Sequence, residues 1–425
     1  MNTHAWGAGP DGAHLDARES RDPQQRDAEV AARLPALIAR AKTASGFARI
    51  LADVDPQAVT SRGALASLPV TRKSDLRTLQ DETPPWGGLI ASDTSGLSRL
   101  FMSPGPIFDP EGRGDDWWRF ARPMWSAGLR PGDIVHNAFS YHFTPAAFMI
   151  EGGARKIGCP IIPAGVGNTD MQLQAIAALK PSMYAGTPSF LKLILEKALE
   201  NGSDVSSFKR ALVSAEPLPP SLRAWLIEHG IPVVLQLYGT ADLGCIGYET
   251  QSDGTVHPGF VVDEDVIVEI VRPGTGTAVA EGEVGEIVVT SFNHDYPLVR
   301  FGTGDLSAVL AGRSPCGRSN LRIKGWMGRA DQTTKVRGMF VHPAQIAAVL
   351  KRHPEIVKAR MVVSGKTGED RMVLMCELGS SANGDQDVIV ATIRDVTRLR
   401  GEVVFVASGS LANDGKVIED ARSLD

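Results

Sequence analysis

The sequence predicts an α/β protein: a large N-terminal region with doubly wound mixed sheets and a small β-barrel-like part, followed by a small α+β C-terminal unit. Three textures carry that reading. From Asp133 to Tyr238, apolar runs (IVHNAF, CPIIPA, SMYAGT, ALVSAE, PVVLQLY) alternate with segments of helical periodicity such as Met171 to Leu179 and Pro188 to Glu200. Strands alternating with helices are the signature of a parallel sheet with crossovers. After Tyr238, short β-branched runs (VIVEIV, GEIVVTSF) broken by Gly and Pro read as antiparallel strands or a small barrel. Near Gly328 the pattern changes again, to a compact α+β unit ending in a last helix.

In chain order, the polar residues 1–27 read as a flexible leader. Asp27 to Val54 reads as helix, because Val30, Leu34, Leu37, Ile38, Ala41 and Ile50 recur at helical spacing. The stretch LPVTRKSDL follows as a short strand and turn. The polar, glycine-containing joint Gly328 to Asp331 separates a large unit, 28–327, from a small one, 328–425.

At 425 residues the chain exceeds the size at which single cores stop growing, so more than one domain is expected. Hydrophobic residues make up 43% and charged residues 22%, the balance of a globular protein, and the net charge of −5 gives no electrostatic case for nucleic acid or an anionic membrane. Cys159, Cys245, Cys316 and Cys376 are scattered without a CxxC pair, which argues against a disulfide framework. With no signal-peptide core and no long apolar run, the expectation is a cytoplasmic protein that does not enter membranes.

Four short segments carry chemistry. In Ser214-Ala215-Glu216-Pro217 and Leu237-Tyr238-Gly239-Thr240-Ala241-Asp242, strand ends deliver an aromatic, a glycine and a carboxylate. An aromatic can stack on a purine, and a carboxylate can hold Mg²⁺. In Pro297 to Leu306, Asp305 follows an apolar strand, where a rigid carboxylate can accept two ribose hydroxyls. The third segment is Gly328-Arg329-Ala330-Asp331 through Gly338, and the fourth is Asp414-Gly415-Lys416. Each alone is an ordinary turn or surface loop.

In this order and spacing the segments resemble the adenylate-forming superfamily of acyl-CoA synthetases, luciferases and adenylation domains. The phenylacetate-CoA ligase branch is indicated by LPVTRKSDL, PGDIVHNAFSYHF, GCPIIPAGVGNTDMQ and AGTPSFL. The resemblance runs from about Leu34 to the C-terminus. It implies ATP-dependent, AMP-forming activation of a carboxylic acid, then transfer to coenzyme A, in a homodimer. By the same resemblance Tyr238 stacks on adenine, with Ala215, Glu216 and Pro217 on its other face and Gly239 and Thr240 beside it. Asp305 holds the ribose, Asp242 stands where relatives have a Glu ligand to Mg²⁺, and Arg329 helps hold ribose or phosphate. Asp331 is the hinge of a mobile lid, 328–425, and Lys416 bridges the substrate carboxylate and α-phosphate. The acid pocket falls on Phe139, Tyr141, His142, Phe143 and Gly186.

The sequence departs from this pattern in three places. The phosphate loop aligns with Phe101 to Phe108, where only Ser103 and Gly105 match and two prolines remove backbone donors; Asp93-Thr94-Ser95-Gly96 is an alternative by composition. The three Cys and one His that bind structural zinc in some relatives become Thr250, His257, Ser314 and Cys316, so zinc is not expected, although Cys245 lies close in sequence. His142 replaces a glycine in the acid pocket, where it either offers a polar handle or fills space against a backbone carbonyl. Two alternatives stay open: delivery of the acyl group to a carrier protein, and a non-catalytic homologue that binds an acyl-adenylate or aromatic acid.

Overall fold

The computed structural model describes residues 12–103, 105–330, 332, 334–337, 339–341, 343–365, 370–379, 384–412 and 416–422. The chain divides into two compact units, Met1–Met327 and Gly328–Asp425.

The larger unit is built on a nine-stranded sheet. Five of its strands are parallel: Val135–Asn137, Ile161–Pro163, Met183–Gly186, Arg210–Val213 and Val233–Thr240. Their spatial order starts from Ile161–Pro163, passes Val135–Asn137 and continues to Val233–Thr240, so the winding reverses between Val135–Asn137 and Met183–Gly186. Helices cover both faces. Ala121–Ser126 and Ala146–Ile157 pack on one side through Met124, Ala147 and Ile150. Thr169–Leu179, Pro188–Asn201 and Pro220–Glu228 pack on the other through Ile176, Ile194 and Leu226. The sequence sets these boundaries locally: Pro188–Asn201 starts on a proline, with Thr187 Oγ1 accepting from Phe190 N at 3.3 Å, and stops at the left-handed Gly202.

The barrel-like part expected after Tyr238 is not a closed barrel. Gly244–Tyr248, Phe260–Val262, Arg322–Ile323 and Val309–Leu310 extend the large sheet with antiparallel strands. Val266–Val271, Gly285–Ser291 and Phe301–Ser307 form a separate open sheet, which Thr71–Arg72 joins in parallel beside Phe301 and Gly302. The β-branched runs were legible as strands, but their division between two sheets depends on pairings that sequence does not display.

Two further expectations are corrected. The helix read over Asp27 to Val54 is two helices, Pro23–Ala41 and Ser45–Ile50. The break lets Gly46 N donate to Gly88 O at 2.6 Å, and a Cβ at Gly46 would lie 2.5 Å from the carbonyl of Gly87; the close backbone crossing requires glycine. Residues 12–27 do not form a flexible leader: Ala17–Ser20 is a short 3₁₀ turn, Glu19 and Arg26 are buried, and Pro23–Ala41 begins on the Asp22 cap.

The smaller unit carries a four-stranded sheet of Glu402–Val406, Arg371–Leu378, Ile356–Ser364 and Ile418–Asp420 in that order, with helices Pro343–Arg352 and Gln386–Thr397. Among the described residues, no helix is long and apolar enough to cross a membrane.

Candidate active site

Predicted residues from four segments of the larger unit gather at the carboxyl ends of the parallel strands, whereas Asp305, expected just after a strand, lies within Phe301–Ser307 of the separate sheet. Phe139 to Phe143 follow Val135–Asn137, Gly186 ends Met183–Gly186, Ala215 to Pro217 follow Arg210–Val213, and Tyr238 to Thr240 end Val233–Thr240. Such ends, near a reversal of winding, are where open α/β sheets collect ligands.

Tyr238 and Asp305 meet directly. The phenol donates to Asp305 Oδ2 at 2.8 Å, and Trp326 Nε1 donates to Oδ1 at 3.0 Å. Both side chains are buried. Two carboxylate oxygens offer about four acceptor positions, so Asp305 retains acceptor capacity for hydroxyls. The loop at Ala215 is held against the same strand, with Ser214 Oγ donating to Leu237 O at 3.0 Å and Gln236 Nε2 to Glu216 O at 3.0 Å. Ala215 sits at φ +68°, a left-handed conformation that costs a residue with a Cβ and recurs at ligand sites. Gly239 has a further requirement, because a Cβ there would lie 2.5 Å from Gly244 O. Thr240 Oγ1 accepts from Leu243 N at 3.2 Å, closing the turn that leads to Asp242.

The stretch aligned with a phosphate loop is an antiparallel hairpin, Leu97–Ser103 paired with Ile107–Gly112. Its hydroxyl is committed within the protein: Ser103 Oγ donates to Asp109 Oδ2 at 2.7 Å. Gly105 is exposed at the turn, and Thr94 to Gly96 form a 3₁₀ turn just before the hairpin, with Thr94 and Ser95 exposed and Gly96 half-buried. Met102 N donates to Phe143 O at 2.9 Å, joining the hairpin to the acid-pocket loop.

That loop differs from expectation. Phe139 is buried, and Tyr141 donates to Glu151 Oε1 at 3.0 Å while accepting from Asn137 Nδ2 at 2.9 Å. His142 and Phe143 are exposed, Phe143 at 68%, instead of lining an enclosed pocket within this unit. Phe143 at φ +59° turns the backbone so that its carbonyl faces Met102 and its ring faces outward.

The sequence reading missed Lys73 and Asp109. Lys73 Nζ donates to Asp242 Oδ2 in a pair whose carboxylate is fully buried, while Lys73 is 24% exposed. Asp109 is also fully buried, and its Oδ1 and Asp242 Oδ1 find no donor from any other residue. Burial, then the charge of Asp242, pushes Asp109 up from 3.8 to about 8 against the opposing pull of Lys73 and Ser103. Burial works against the Lys73 ammonium, yet Asp242 and Asp109 raise its pKa overall. The only signal for Lys73 was its place in LPVTRKSDL; Asp109, in the mixed stretch IFDPEG, gave none.

A consequence is measurable. Because the folded protein holds the Asp109 proton more tightly than the unfolded chain, its contribution to stability is complete below pH 3.8 and is lost as pH rises toward about 8. Asp109→Asn, which cannot ionise, should flatten the fall of the urea midpoint between pH 5 and pH 8. A slope identical to wild type would mean that Asp109 is ionised throughout.

In the smaller unit, Lys416 is exposed, and Gln332 Oε1 accepts from Val417 N at 2.7 Å and Ile418 N at 3.2 Å, anchoring the strand that follows the lysine. Arg329 is half-buried. Asp331 lies outside the described residues.

The four positions aligned with the zinc ligands of relatives do converge. Thr250 Oγ1 lies 3.1 Å from both His257 Nδ1 and Ser314 Oγ, and Ser314 Oγ lies 3.0 Å from Cys316 Sγ. Two hydroxyls stand where thiolates would be needed and they satisfy one another, so this set does not fit zinc. Cys245, buried and bonded through its backbone N to Trp118 O at 3.0 Å, is not one of the four.

A model of the AMP-binding enzyme family matches residues 117–293. A phenylacetate-coenzyme A ligase of Thermus thermophilus is 30% identical over 79% of this chain and 77% of its own length. A phenylacetate-coenzyme A ligase of Escherichia coli is 30% identical over 69% and 68%. Among solved structures, a 2-hydroxyisobutyryl-CoA ligase in complex with its acyl-adenylate and CoA superposes with TM-score 0.79 at 24% identity, over 98% of this chain and 94% of that one; at that identity the likeness establishes the fold.

Proposed function

Because the chain belongs to the AMP-binding, adenylate-forming family of the phenylacetate-coenzyme A ligases, we propose that it activates an aromatic or arylacetic acid with ATP and transfers the acyl group to coenzyme A. The AMP-forming acid–CoA ligase activity follows from the family; the acid is our own reading. The observation that carries the nucleotide part is the Tyr238–Asp305 pair, which joins the end of Val233–Thr240 to the strand Phe301–Ser307. Its ring face would take adenine beside Ala215 to Pro217, and its carboxylate the ribose, with Arg329 assisting. Attack of the substrate carboxylate on the α-phosphorus releases pyrophosphate and leaves a mixed anhydride. The CoA thiol then displaces AMP from the acyl carbon. Lys416 would neutralise charge in the first step, and movement of the lid about Asp331 would separate the two steps. The aromatic preference rests on Phe139 and on Tyr141, whose ring stands edge-on to Phe148 at 5.3 Å between centroids. By family likeness the reading extends to a homodimer acting in the cytoplasm.

The test is a panel of benzoic, arylacetic and short aliphatic acids with ATP and CoA, scoring AMP and thioester together. Aromatic acids should turn over at least about tenfold better in kcat/KM, the discrimination that one or two apolar contacts supply. An aliphatic optimum would remove the aromatic assignment. AMP release without thioester would point to a carrier-protein phosphopantetheine as acceptor.

A further inference from the structure

The family expectation of Mg²⁺ at Asp242 can be tested against the groups around it. Mg²⁺ demands near-octahedral oxygen ligands at about 2.1 Å and keeps several waters. Asp242 Oδ2 is already taken by the Lys73 ammonium, and its side chain has no exposed surface through which water could accompany an ion. The other oxygen, Oδ1, is buried without a hydrogen-bond partner. Among the described residues, no three His, Cys, Asp or Glu side chains stand together as a metal site. An ion on Asp242 would lie beside a like-charged ammonium on the same carboxylate, an uncompensated repulsion in a dry setting. The residues as arranged do not fit the metal.

We infer that Lys73 is a built-in cation occupying the metal position at Asp242, so that the nucleotide-free protein has no divalent-ion site there and removal of the lysine charge opens one. The arrangement has the parts this requires. Lys73 Nζ bonds Asp242, on the turn after Val233–Thr240, and feels the charge of Asp109, on the strand Ile107–Gly112. The charge of Asp305 also favours the Lys73 ammonium. Ser103 fixes the far side of Asp109, so the carboxyls stay in place when the lysine is cut back. Each then presents a buried oxygen without a donor, the donor set of a hard divalent ion. Divalent metal in the reaction is accordingly the ion that ATP carries with it, not one held by Asp242 beforehand.

Mn²⁺ binding to the full, nucleotide-free chain, followed by electron paramagnetic resonance, tests this without any turnover. Wild type should hold no bound Mn²⁺ at millimolar concentrations. Lys73→Met should bind one Mn²⁺ at least about tenfold more tightly than wild type, roughly a 1.4 kcal/mol difference, and Lys73→Met/Asp242→Asn should lose it. Mg²⁺ should raise the Tm of Lys73→Met and leave that of wild type unmoved. Lys73→Arg, which keeps the charge and is expected to fold, should behave as wild type. Stoichiometric Mn²⁺ on wild type that disappears in Asp242→Asn overturns the proposal, as does a folded Lys73→Met that binds none. Because these readouts involve neither acid nor ATP, their failure is distinguishable from failure of the acid panel.

Discussion

Lys416→Ala is expected to lose acyl-adenylate formation by roughly a hundredfold or more, the scale on which removal of one positioned charge-stabilising group acts, while still converting supplied acyl-adenylate and CoA to thioester near the wild-type rate. The asymmetry comes from the chemistry of the two half-reactions. In the first, two anions, the substrate carboxylate and the α-phosphate, must approach, and charge builds on the phosphoryl oxygens; one ammonium there lowers the barrier without needing to move a proton. In the second, a thiol attacks a neutral acyl carbon and AMP departs with the electron pair of the broken C–O bond, after the proposed lid movement has taken Lys416 out of the reaction. The fold should tolerate the change, because Lys416 is exposed and the adjoining strand is held by Gln332 through the backbone amides of Val417 and Ile418. Pyrophosphate release measures the first step, and thioester from synthetic adenylate the second. Equal loss in both would mean a shared role or a damaged fold. No loss in either would remove Lys416 from the reaction.

Legibility in the sequence followed the range of the interactions. The parallel strands and their helices were readable because each announces itself within a few residues, through apolar runs, a Thr187-Pro188 start or a Gly202 stop. Tyr238 and Asp305 were readable as a pair because each sits in a recognisable motif; the structure joins them through a hydrogen bond, although Asp305 lies within the strand Phe301–Ser307 and not after one. The four positions aligned with the zinc ligands of relatives were readable only through the resemblance, and they do converge. What escaped were partnerships without a local sign. Lys73, Asp109 and Asp242 come from three separate segments, and only burial together makes them a unit. His142 had the opposite history: alignment placed it in a pocket, while the turn at Phe143 leaves it exposed. A polar N-terminus looked like a leader because charge is normally a mark of solvent, and here the charges are paired inside.

That pairing predicts a large effect on stability from Glu19, a residue that hydropathy places outside the fold. Its Oε1 accepts from Leu15 N at 2.6 Å, and its Oε2 accepts from Tyr248 OH at 3.0 Å and from Arg318 Nε. The side chains of Glu19 and Arg318 are 1% and 2% exposed. Arg318 also donates to Ala13 O at 3.1 Å, while Arg26 grips Glu264 through two bonds and Arg18 grips Asp265 through two more. Glu19→Ala would leave a buried guanidinium without its counter-charge and a buried phenol without its acceptor. Breaking one side of such a pair costs about 3 to 5 kcal/mol, mostly because the remaining charge stays desolvated. Glu19→Gln keeps one carbonyl oxygen, enough for Leu15 N or for the Tyr248 and Arg318 side but not for both, and should lose less than Glu19→Ala. All tryptophans precede Gly328, so tryptophan fluorescence during urea unfolding reports the larger unit alone. The comparison variant is Asp27→Ala, whose exposed pair with Arg62 should be worth less than about 1 kcal/mol. If Glu19→Ala shifted the urea midpoint no further than Asp27→Ala, residues 12–27 would be attached loosely after all, and the leader read from the sequence would stand.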